Sequence, residues 1–308
     1  MAKKKYLGCS LNLIIVLSIV FLALTVISFI GGSVGAMMLG REPLSISNVS
    51  APHPELPAEH PFPGLPITNT ILASWITILV LFGLFFAATR KMKLVPTGLQ
   101  NFLEMIVEVA ANFIQDAAGK KHGRWFFSVC TTIFLFVIAN AWINLVPGFE
   151  TIKVNGEPLL RNANTDINVP LMLAVVSFFF VEYWGFKAKG TPYLESFFNF
   201  RPLGRGFIQL FRGKVKAGLG GLLNAIIAIF IGIIELLSHL IRIISFTFRL
   251  FGNMTAGIIL TSVIIFIIPW VIPAIFYGLE VLVGFVQAMI FGGLTLGFAC
   301  AAVMATEE

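Results

Sequence analysis

The last third of the sequence is one almost uninterrupted apolar region, from residue 221 to residue 306. It is broken only near "IIPWVIP", where Pro269 and Pro273 disfavour a continuous helix. We therefore predict two helices, 221–267 and 274–304. A helix of about 47 residues, with a rise of about 1.5 Å per residue, spans about 70 Å, whereas the hydrocarbon core of a membrane is about 30 Å thick. The first of these helices must therefore tilt steeply, bend or contain a break.

The composition of the whole chain fits a membrane protein. Of 308 residues, 57% are hydrophobic and 12% are charged, whereas a soluble domain is about half apolar and about a quarter charged. A helix needs about 20 apolar residues to cross the hydrocarbon. Four further segments meet this requirement: 11–39, 70–89, 126–147 and 169–187. The sequence therefore predicts an all-α polytopic membrane protein with six hydrophobic helices.

Several classes of binding site find no support in the sequence. No phosphate-binding pattern of the type GxxxxGKS or GxGxxG occurs, so we predict no direct nucleotide binding and no cofactor. The three cysteines and four histidines lack the spacing of a metal site, so we expect no metal. A net charge of +6 in a polytopic membrane protein does not indicate nucleic-acid binding, and we expect none.

The basic residues predict the orientation of the chain, because short loops rich in Lys and Arg mark the cytoplasmic side. With the N-terminus inside, only Arg41, Lys153 and Arg161 fall in outside loops, while Arg242 and Arg249 lie within a helix. Every other lysine and arginine falls inside, so both termini, including the C-terminal "ATEE", are predicted to be cytoplasmic. Nothing resembles a transit peptide, which favours a bacterial plasma membrane over an organelle.

Three segments need a separate interpretation. The apolar run at 11–39 exceeds the roughly 7–15 apolar residues of a cleaved signal, so we favour an uncleaved N-terminal helix. With the extended, proline-rich outside loop that follows, it makes up residues 1–64. Residues 98–118 are predicted to form an inside amphipathic helix that packs on another helix or a partner subunit. Its apolar face comprises Leu99, Phe102, Leu103, Ile106, Ala110, Phe113 and Ile114. The inside loop at 188–220 is expected to anchor at the membrane interface.

The fifth predicted helix carries a polar stripe within its apolar run. At roughly 100° per residue, one face collects six polar side chains. They are Glu235, Ser238, His239, Arg242, Arg249 and Asn253. A charge at the bilayer centre costs about 2.5–3.5 kcal/mol on insertion scales, so the stripe should face protein or water. The alternatives for the two arginines are snorkelling to the headgroups or an internal ion pair.

The last helix carries a second polar stripe, formed by Tyr277, Glu280, Gly284 and Gln287. An intramembrane glutamate such as Glu280 is a candidate for a proton pathway. Gln287 either belongs to that pathway or hydrogen-bonds Asn253 on the preceding helix, and the two roles are compatible. Close helix packing is favoured by a ladder of small residues, Gly284, Ala288 and Gly292.

More polar residues lie near the ends of the third and fourth predicted helices. Asn140 and Asn144 are near the end of the third, and Asp166 and Asn168 lie just before the fourth. For Asp166, a helix cap and a role in proton transfer both remain open. Glu182, near the inside end of the fourth helix, is expected to snorkel.

Together these motifs resemble the a subunit of F-type ATP synthase. The resemblance rests on "FRLFGNMTAG" (248–257), "IIELLSHLIRIIS", "TDINVPL" and "FVQAMIFGGLTLGFACAAVMATEE", and it extends over residues 65–308. It implies a non-catalytic, proton-translocating stator with two half-channels against a ring of c subunits. It also implies that the last two helices form a steeply tilted hairpin facing this c-ring, and that the b subunits of the peripheral stalk are partners.

The resemblance also implies roles for individual residues. Arg249 matches the essential arginine of the family, and Asn253 and Gln287 match its polar neighbours. Glu280 falls in the proton entry path, where it would replace the titratable residue that many relatives carry at the position of Ile258. Other matches are Glu235 and Ser238 in the exit path, and Asp166 and Asn168 in the entry region. We add three polar residues to the predicted pathway: His239, Asn140 and Asn144.

Two other functions would also use polar residues within the membrane. In a proton-coupled secondary transporter, Arg249 and Glu280 would bind an anionic substrate and a proton. Such transporters usually contain internal repeats, and the sequence has none. In an intramembrane enzyme, Ser238 and His239 would be the reactive pair, but adjacent residues on a helix point about 100° apart. Neither alternative accounts for the motifs as well.

Overall fold

The computed structural model describes residues 5–6, 9–42, 58–62, 64–146, 148–149, 152–190, 192–193 and 215–304. Within these residues it contains seven α-helices: α1 (Leu11–Gly31), α2 (Ser33–Met38), α3 (Asn69–Thr89), α4 (Leu99–Ile143), α5 (Asn168–Lys189), α6 (Val215–Ile267) and α7 (Ile272–Met304). Two antiparallel strand pairs and one 3-10 helix complete it: Lys5–Tyr6 with Cys9–Ser10, Lys153–Val154 with Glu157–Pro158, and Ala163–Thr165. Six of the helices are long and apolar enough to cross a membrane, which confirms the predicted fold class.

The predicted N-terminal helix 11–39 is two helices. The chain breaks at Gly32, whose backbone is extended (φ −74°, ψ 170°). A Cβ on Gly32 would lie 2.9 Å from the Ser28 carbonyl oxygen and 3.2 Å from Pro269, so only glycine allows this close approach. The Ser28 hydroxyl accepts a hydrogen bond from the Trp270 backbone N–H at 2.9 Å. The end of α1 therefore packs on the turn that joins α6 to α7.

Helix α4 joins two helices that the sequence predicts separately. The amphipathic segment 98–118 is helical as predicted, and it continues into the membrane-spanning part through a kink at Gly119 (φ 73°, ψ 162°). This positive φ is accessible to glycine at little cost. The predicted span 126–147 is wrong at both ends, because the helix resumes directly after the kink and ends at Ile143.

The apolar face predicted for the amphipathic segment is only partly buried. Leu103 and Ile114 are buried, and Ile106 and Ala110 are half-buried. Three of the large apolar residues remain exposed: Leu99, Phe102 and Phe113. Ile114 and Ala118 pack in a cluster with residues of α7. The segment thus packs on another helix, as predicted, while part of its apolar surface stays uncovered by the described residues.

Helices α6 and α7 form the predicted hairpin. The helix ends at Ile267 and resumes at Ile272, and Val271 between them has a φ of 62°, which confirms the break near the two prolines. The small-residue ladder of α7 packs on α4 as predicted. A Cβ on Gly284 would lie 2.7 Å from the Ala141 Cβ, and Ala288 is fully buried.

The main hydrophobic core lies between α4, α5, α6 and α7. It contains Val137, Leu173, Leu250, Met254 and Phe291, all buried. This packing positions the polar stripe of α6 beside that of α7. Three predicted features lie outside the described residues: most of the proline-rich loop, the loop segment 194–214, and the C-terminal "ATEE".

Candidate functional site

Arg249 lies near the middle of the polar stripe on α6 and is half-buried. Its Nη2 atom lies 3.5 Å from the Ser245 hydroxyl, one helical turn earlier, which is at the limit of a hydrogen bond. In the part of the chain that the structure describes, no carboxylate forms a salt bridge with Arg249. The helix therefore presents a cation that has no counter-ion in this part of the chain.

Asn253 and Gln287 connect α6 to α7 one turn beyond this arginine. The Asn253 Nδ2 donates to the Gln287 Oε1 at 2.8 Å, which confirms the predicted interhelical hydrogen bond. Gln287 is only 2% exposed, whereas Asn253 is exposed. The bond fixes the Gln287 side chain within the helix interface and leaves Asn253 on the same open face as Arg249.

Glu280 of α7 lies against α6. Its Oε2 accepts a hydrogen bond from the Thr261 hydroxyl at 3.4 Å. A Cβ placed on Gly257 would lie 3.3 Å from the Glu280 Oε1, so the glycine leaves room for the carboxylate. Glu280 thus lies next to the position that precedes Ile258, in agreement with the predicted exchange of a titratable group between the two helices.

A polar cluster lies where α3 begins, α4 ends and α5 begins. We call it the amide cluster; it comprises Thr70, Thr77, Asn140, Asn144, Asn164, Asp166 and Asn168. The Thr77 hydroxyl donates to the Asn140 Oδ1, and the Thr70 hydroxyl donates to the Asp166 Oδ2, both at 2.8 Å. Since Asp166 is its only carboxylate, the cluster consists almost entirely of amides and hydroxyls.

Asp166 has partners on two elements of this cluster. Its Oδ1 accepts from the backbone N–H of Asn168 at 3.1 Å and from the Asn168 Nδ2 at 2.9 Å. Asp166 thus accepts from the first backbone N–H of α5, but it is not the N-cap of this helix, which is Ile167 and has no side-chain cap hydrogen bond. In the described residues, the Asn140 Nδ2, the Asn144 Oδ1 and both side-chain polar atoms of Asn164 are buried without a hydrogen-bond partner. Since such groups are normally hydrogen-bonded, this cluster can accommodate water.

A second cluster, made largely of charged groups, lies between α5 and the first half of α6. We call it the charged cluster; it comprises Glu182, Tyr193, Glu235, His239 and Arg242. The His239 Nδ1 lies 2.5 Å from the Glu182 Oε1, and its Nε2 lies 3.7 Å from the Glu235 Oε1. The Tyr193 hydroxyl donates to the Glu182 Oε2 at 2.9 Å. The expectation that Glu182 snorkels is therefore wrong, because both of its oxygens face protein groups.

The predicted stripe on α6 is divided between two surroundings. Ser238, Glu235 and Asn253 are exposed, whereas His239 is 8% exposed and faces α5. The Ser238 hydroxyl donates to the Ile234 carbonyl of its own helix. Arg242 lies over the Phe298 ring of α7, 3.7 Å from its centroid. The division arises because Glu182 of α5 contacts His239. The periodicity of α6 alone does not reveal this contact.

Most of the residues that the sequence interpretation missed contact side chains on other elements. The missed residues are Glu182 and Tyr193 in the charged cluster, and Thr70, Thr77 and Asn164 in the amide cluster. A polar residue in an apolar span was an available signal for Glu182. Threonines carry little such signal, because a threonine hydroxyl can also bond its own helix, as that of Thr77 does with the Ala73 carbonyl.

Comparison with known proteins places these residues in a family context. The model of the family described as "ATP synthase A chain" matches residues 71–299. A protein of Helicobacter pylori (strain P12), named ATP synthase subunit a, is 29% identical over 232 residues, which cover 75% of this chain and 88% of that relative. A protein of the same name from Citrifermentans bemidjiense is 31% identical over 223 residues, covering 72% of this chain and 82% of the relative. The matched range includes α3 to α6 and most of α7.

Proposed function

This chain belongs to the ATP synthase A-chain family and is a multi-pass, proton-translocating subunit of the membrane sector, and we propose that Arg249 is the fixed charge on which its proton path depends. The subunit itself carries out no catalysis. It acts as a stator, providing two half-channels and holding Arg249 against a ring of c subunits. Membership of this family argues against the alternative function, a proton-coupled secondary transporter.

The observation that supports this proposal most directly is that Arg249 has no counter-ion among the described residues. A charge within the bilayer costs about 2.5–3.5 kcal/mol on insertion scales unless it is paired or hydrated. In the described part of the chain, Arg249 has only the 3.5 Å contact with Ser245. The missing partner is a carboxylate of the c-ring, which faces the exposed side of α6.

The chemistry follows from the charge of that partner. A ring carboxylate must be neutral to turn through lipid, because the charged form is too costly there. Opposite Arg249 its ionised form is stabilised, so it releases its proton into one half-channel. Arg249 cannot lose its own proton, so it separates the half-channels rather than conducting between them. Each proton crossing about 150 mV releases about 3.5 kcal/mol, which drives rotation only without a leak.

The two clusters and the hairpin supply the half-channels. The amide cluster and Glu280 form the entry path from the outside, and the charged cluster with Ser238 forms the exit path to the inside. Asn253 and Gln287 lie between them. The hydrogen bond of Asn253 and the burial of Gln287 support roles in shaping this region.

The orientation of the subunit in the membrane, its domains and its stalk partner are also part of the proposal. Both termini lie on the cytoplasmic side of a bacterial plasma membrane, which agrees with the charge distribution and with the bacterial relatives. Residues 65–308 form the a-subunit domain, and residues 1–64 add a membrane helix and an outside loop. The b subunits of the peripheral stalk bind this subunit within the complex.

Substitution of Arg249 tests the proposal. In inverted membrane vesicles that contain the complete ATP synthase, Arg249→Ala should lower ATP-driven proton pumping by about 100-fold or more, since the charge acts where an opposite charge develops. The matched control is Arg90→Ala, which removes an exposed arginine at the end of α3 and should pump normally. Normal coupled pumping by the Arg249→Ala complex would refute the proposal.

A further inference from the structure

We propose that Glu182 and His239 form a proton-carrying pair that extends the exit path from Glu235 into the interface between α5 and α6. The proposal rests on the proposed function, because it assumes that protons leave along the first half of α6. It assigns to Glu182, on α5, a role in proton transfer, and to Tyr193 a positioning role.

The geometry of His239 is suited to transfer between two carboxylates. Its two ring nitrogens face different carboxylates on different helices, Glu182 at 2.5 Å and Glu235 at 3.7 Å. The His239 side chain is 10% exposed and that of Glu182 is 21% exposed, whereas that of Glu235 is 53% exposed. The three groups thus lead from the open face of α6 into the interface with α5.

The Glu182 carboxylate is held in place by Tyr193. A Cβ on Gly185 would lie 2.8 Å from the Tyr193 ring, so the glycine allows the ring to pack directly on α5. From there the Tyr193 hydroxyl donates to the Glu182 Oε2 at 2.9 Å, which leaves the Oε1 to face His239. This arrangement orients one oxygen of Glu182 towards the imidazole.

The proton movements balance without any other reactant. A proton passes from the Glu235 carboxyl group through one bridging water to the His239 Nε2, since the 3.7 Å between these groups is too long for a direct hydrogen bond. The proton on the Nδ1 passes to the Glu182 Oε1. Rotation or exchange with water returns the imidazole to its starting tautomer, and Glu182 releases its proton to the inside. Histidine suits this step because a neutral imidazole has one nitrogen that donates and one that accepts a proton. The Arg242 guanidinium also interacts electrostatically with Glu182 and with Tyr193, so the cluster contains one permanent cation.

A purely structural role is the competing explanation. A buried ion pair can be replaced by apolar residues of similar volume without loss of stability, whereas removal of one partner leaves an uncompensated charge. The decisive variant is therefore the double substitution Glu182→Leu with His239→Leu, which removes both polar groups together. The single variants Glu182→Gln and His239→Asn keep hydrogen-bonding groups and remove titration.

The experiment measures proton flux through the membrane sector in vesicles with the complete complex, as a function of the pH on the cytoplasmic face. We expect both single variants and the double variant to assemble and to lower the flux roughly 10-fold. A positioned acid–base group contributes about 100-fold to a chemical step. We expect a smaller loss of flux here, because water at the exposed Glu235 offers the proton a second route. His239→Asn should also flatten the dependence on cytoplasmic pH.

The matched control is Ser177→Ala, which removes the 2.7 Å hydrogen bond between Ser177 of α5 and Thr295 of α7 and has no titratable group. Its flux per assembled complex and its pH profile should equal those of the unmodified protein. The proposal is overturned if the Glu182 and His239 variants behave like this control, or if flux falls only in proportion to assembled complex. Loss of pumping by Arg249→Ala in the same vesicles would show that the proposed function survives such a result.

Discussion

The amide cluster, at the ends of α3, α4 and α5, and the charged cluster, between α5 and α6, are built from opposite kinds of polar group. The first is held by bonds between neutral hydroxyls and amides, with Asp166 as its one carboxylate. The second joins Glu182 and Glu235 to His239, with Arg242 close to them. Neutral groups can hold a continuous water path without trapping an ion, whereas paired charges keep a proton only at defined atoms.

Under the proposed function, the difference indicates how each half-channel handles a proton. In the amide cluster the buried, unpartnered atoms of Asn140, Asn144 and Asn164 provide sites for water. In the charged cluster Glu182 contacts both His239 and Tyr193 directly. We therefore expect the entry path to tolerate the loss of most single polar groups apart from Glu280, and the exit path to depend on specific titratable residues.

The largest effect within the entry path is expected for Glu280→Gln. The substitution removes the carboxylate beside Gly257 while keeping a side chain of similar shape, so a proton transfer step is lost and packing is kept. ATP-driven pumping in inverted vesicles should fall by about 100-fold, as for the loss of a positioned acid–base group. The control is Glu108→Gln on the exposed side of α4, which should pump normally. Unchanged pumping by Glu280→Gln would mean that protons enter elsewhere.

A smaller effect on pumping is expected for Gln287→Leu. The Asn253 amide loses its 2.8 Å acceptor, but Asn253 is exposed and can bond water instead. Pumping should therefore fall several-fold, well short of the loss in Arg249→Ala. A loss as complete as that of Arg249→Ala would show that Gln287 takes a direct part in proton transfer.

The smallest effect on pumping is expected for Thr77→Val in the amide cluster. The change preserves shape but removes the donor to Asn140, whose amide is then left buried without that bond. The cost in stability should be about 1–3 kcal/mol, measured as a lower midpoint of thermal inactivation of the complex. The proton flux per remaining complex should be almost unchanged. A strong loss of flux would mean that this hydroxyl carries protons and that the two clusters work alike.

The sequence was informative wherever a pattern lay within one helix. The presence of six apolar spans, the break at Pro269 and Pro273, and the small-residue ladder around Gly284 appear as predicted, although the bounds of two spans differ. Each of these features depends on local periodicity or local backbone chemistry. The Asn253–Gln287 bond was also predictable, since a hairpin brings consecutive helices together.

The features that sequence reasoning missed depend on distant contacts. Glu182 and His239 are 57 positions apart, so no single-helix pattern shows that they pair. The break at Gly32 depends on close packing against Pro269 and on the backbone around Ser28. A glycine in an apolar run carries no comparable signal of its own. Gly119 is different, because the two predicted helices 98–118 and 126–147 already leave a break there, and a Cβ on Gly119 would meet nothing within 4 Å.

The most direct test of the account is passive proton conduction in vesicles whose catalytic sector has been removed, with Arg249→Ala compared with the unmodified chain and with Arg249→Lys. If Arg249 separates two half-channels, the Arg249→Ala membranes should conduct protons freely, although the intact complex no longer pumps. Arg249→Lys keeps a positive charge and should leak less. Two results would contradict the central role assigned to this arginine. One is that Arg249→Ala membranes without the catalytic sector do not conduct protons, and the other is that the intact Arg249→Ala complex pumps normally.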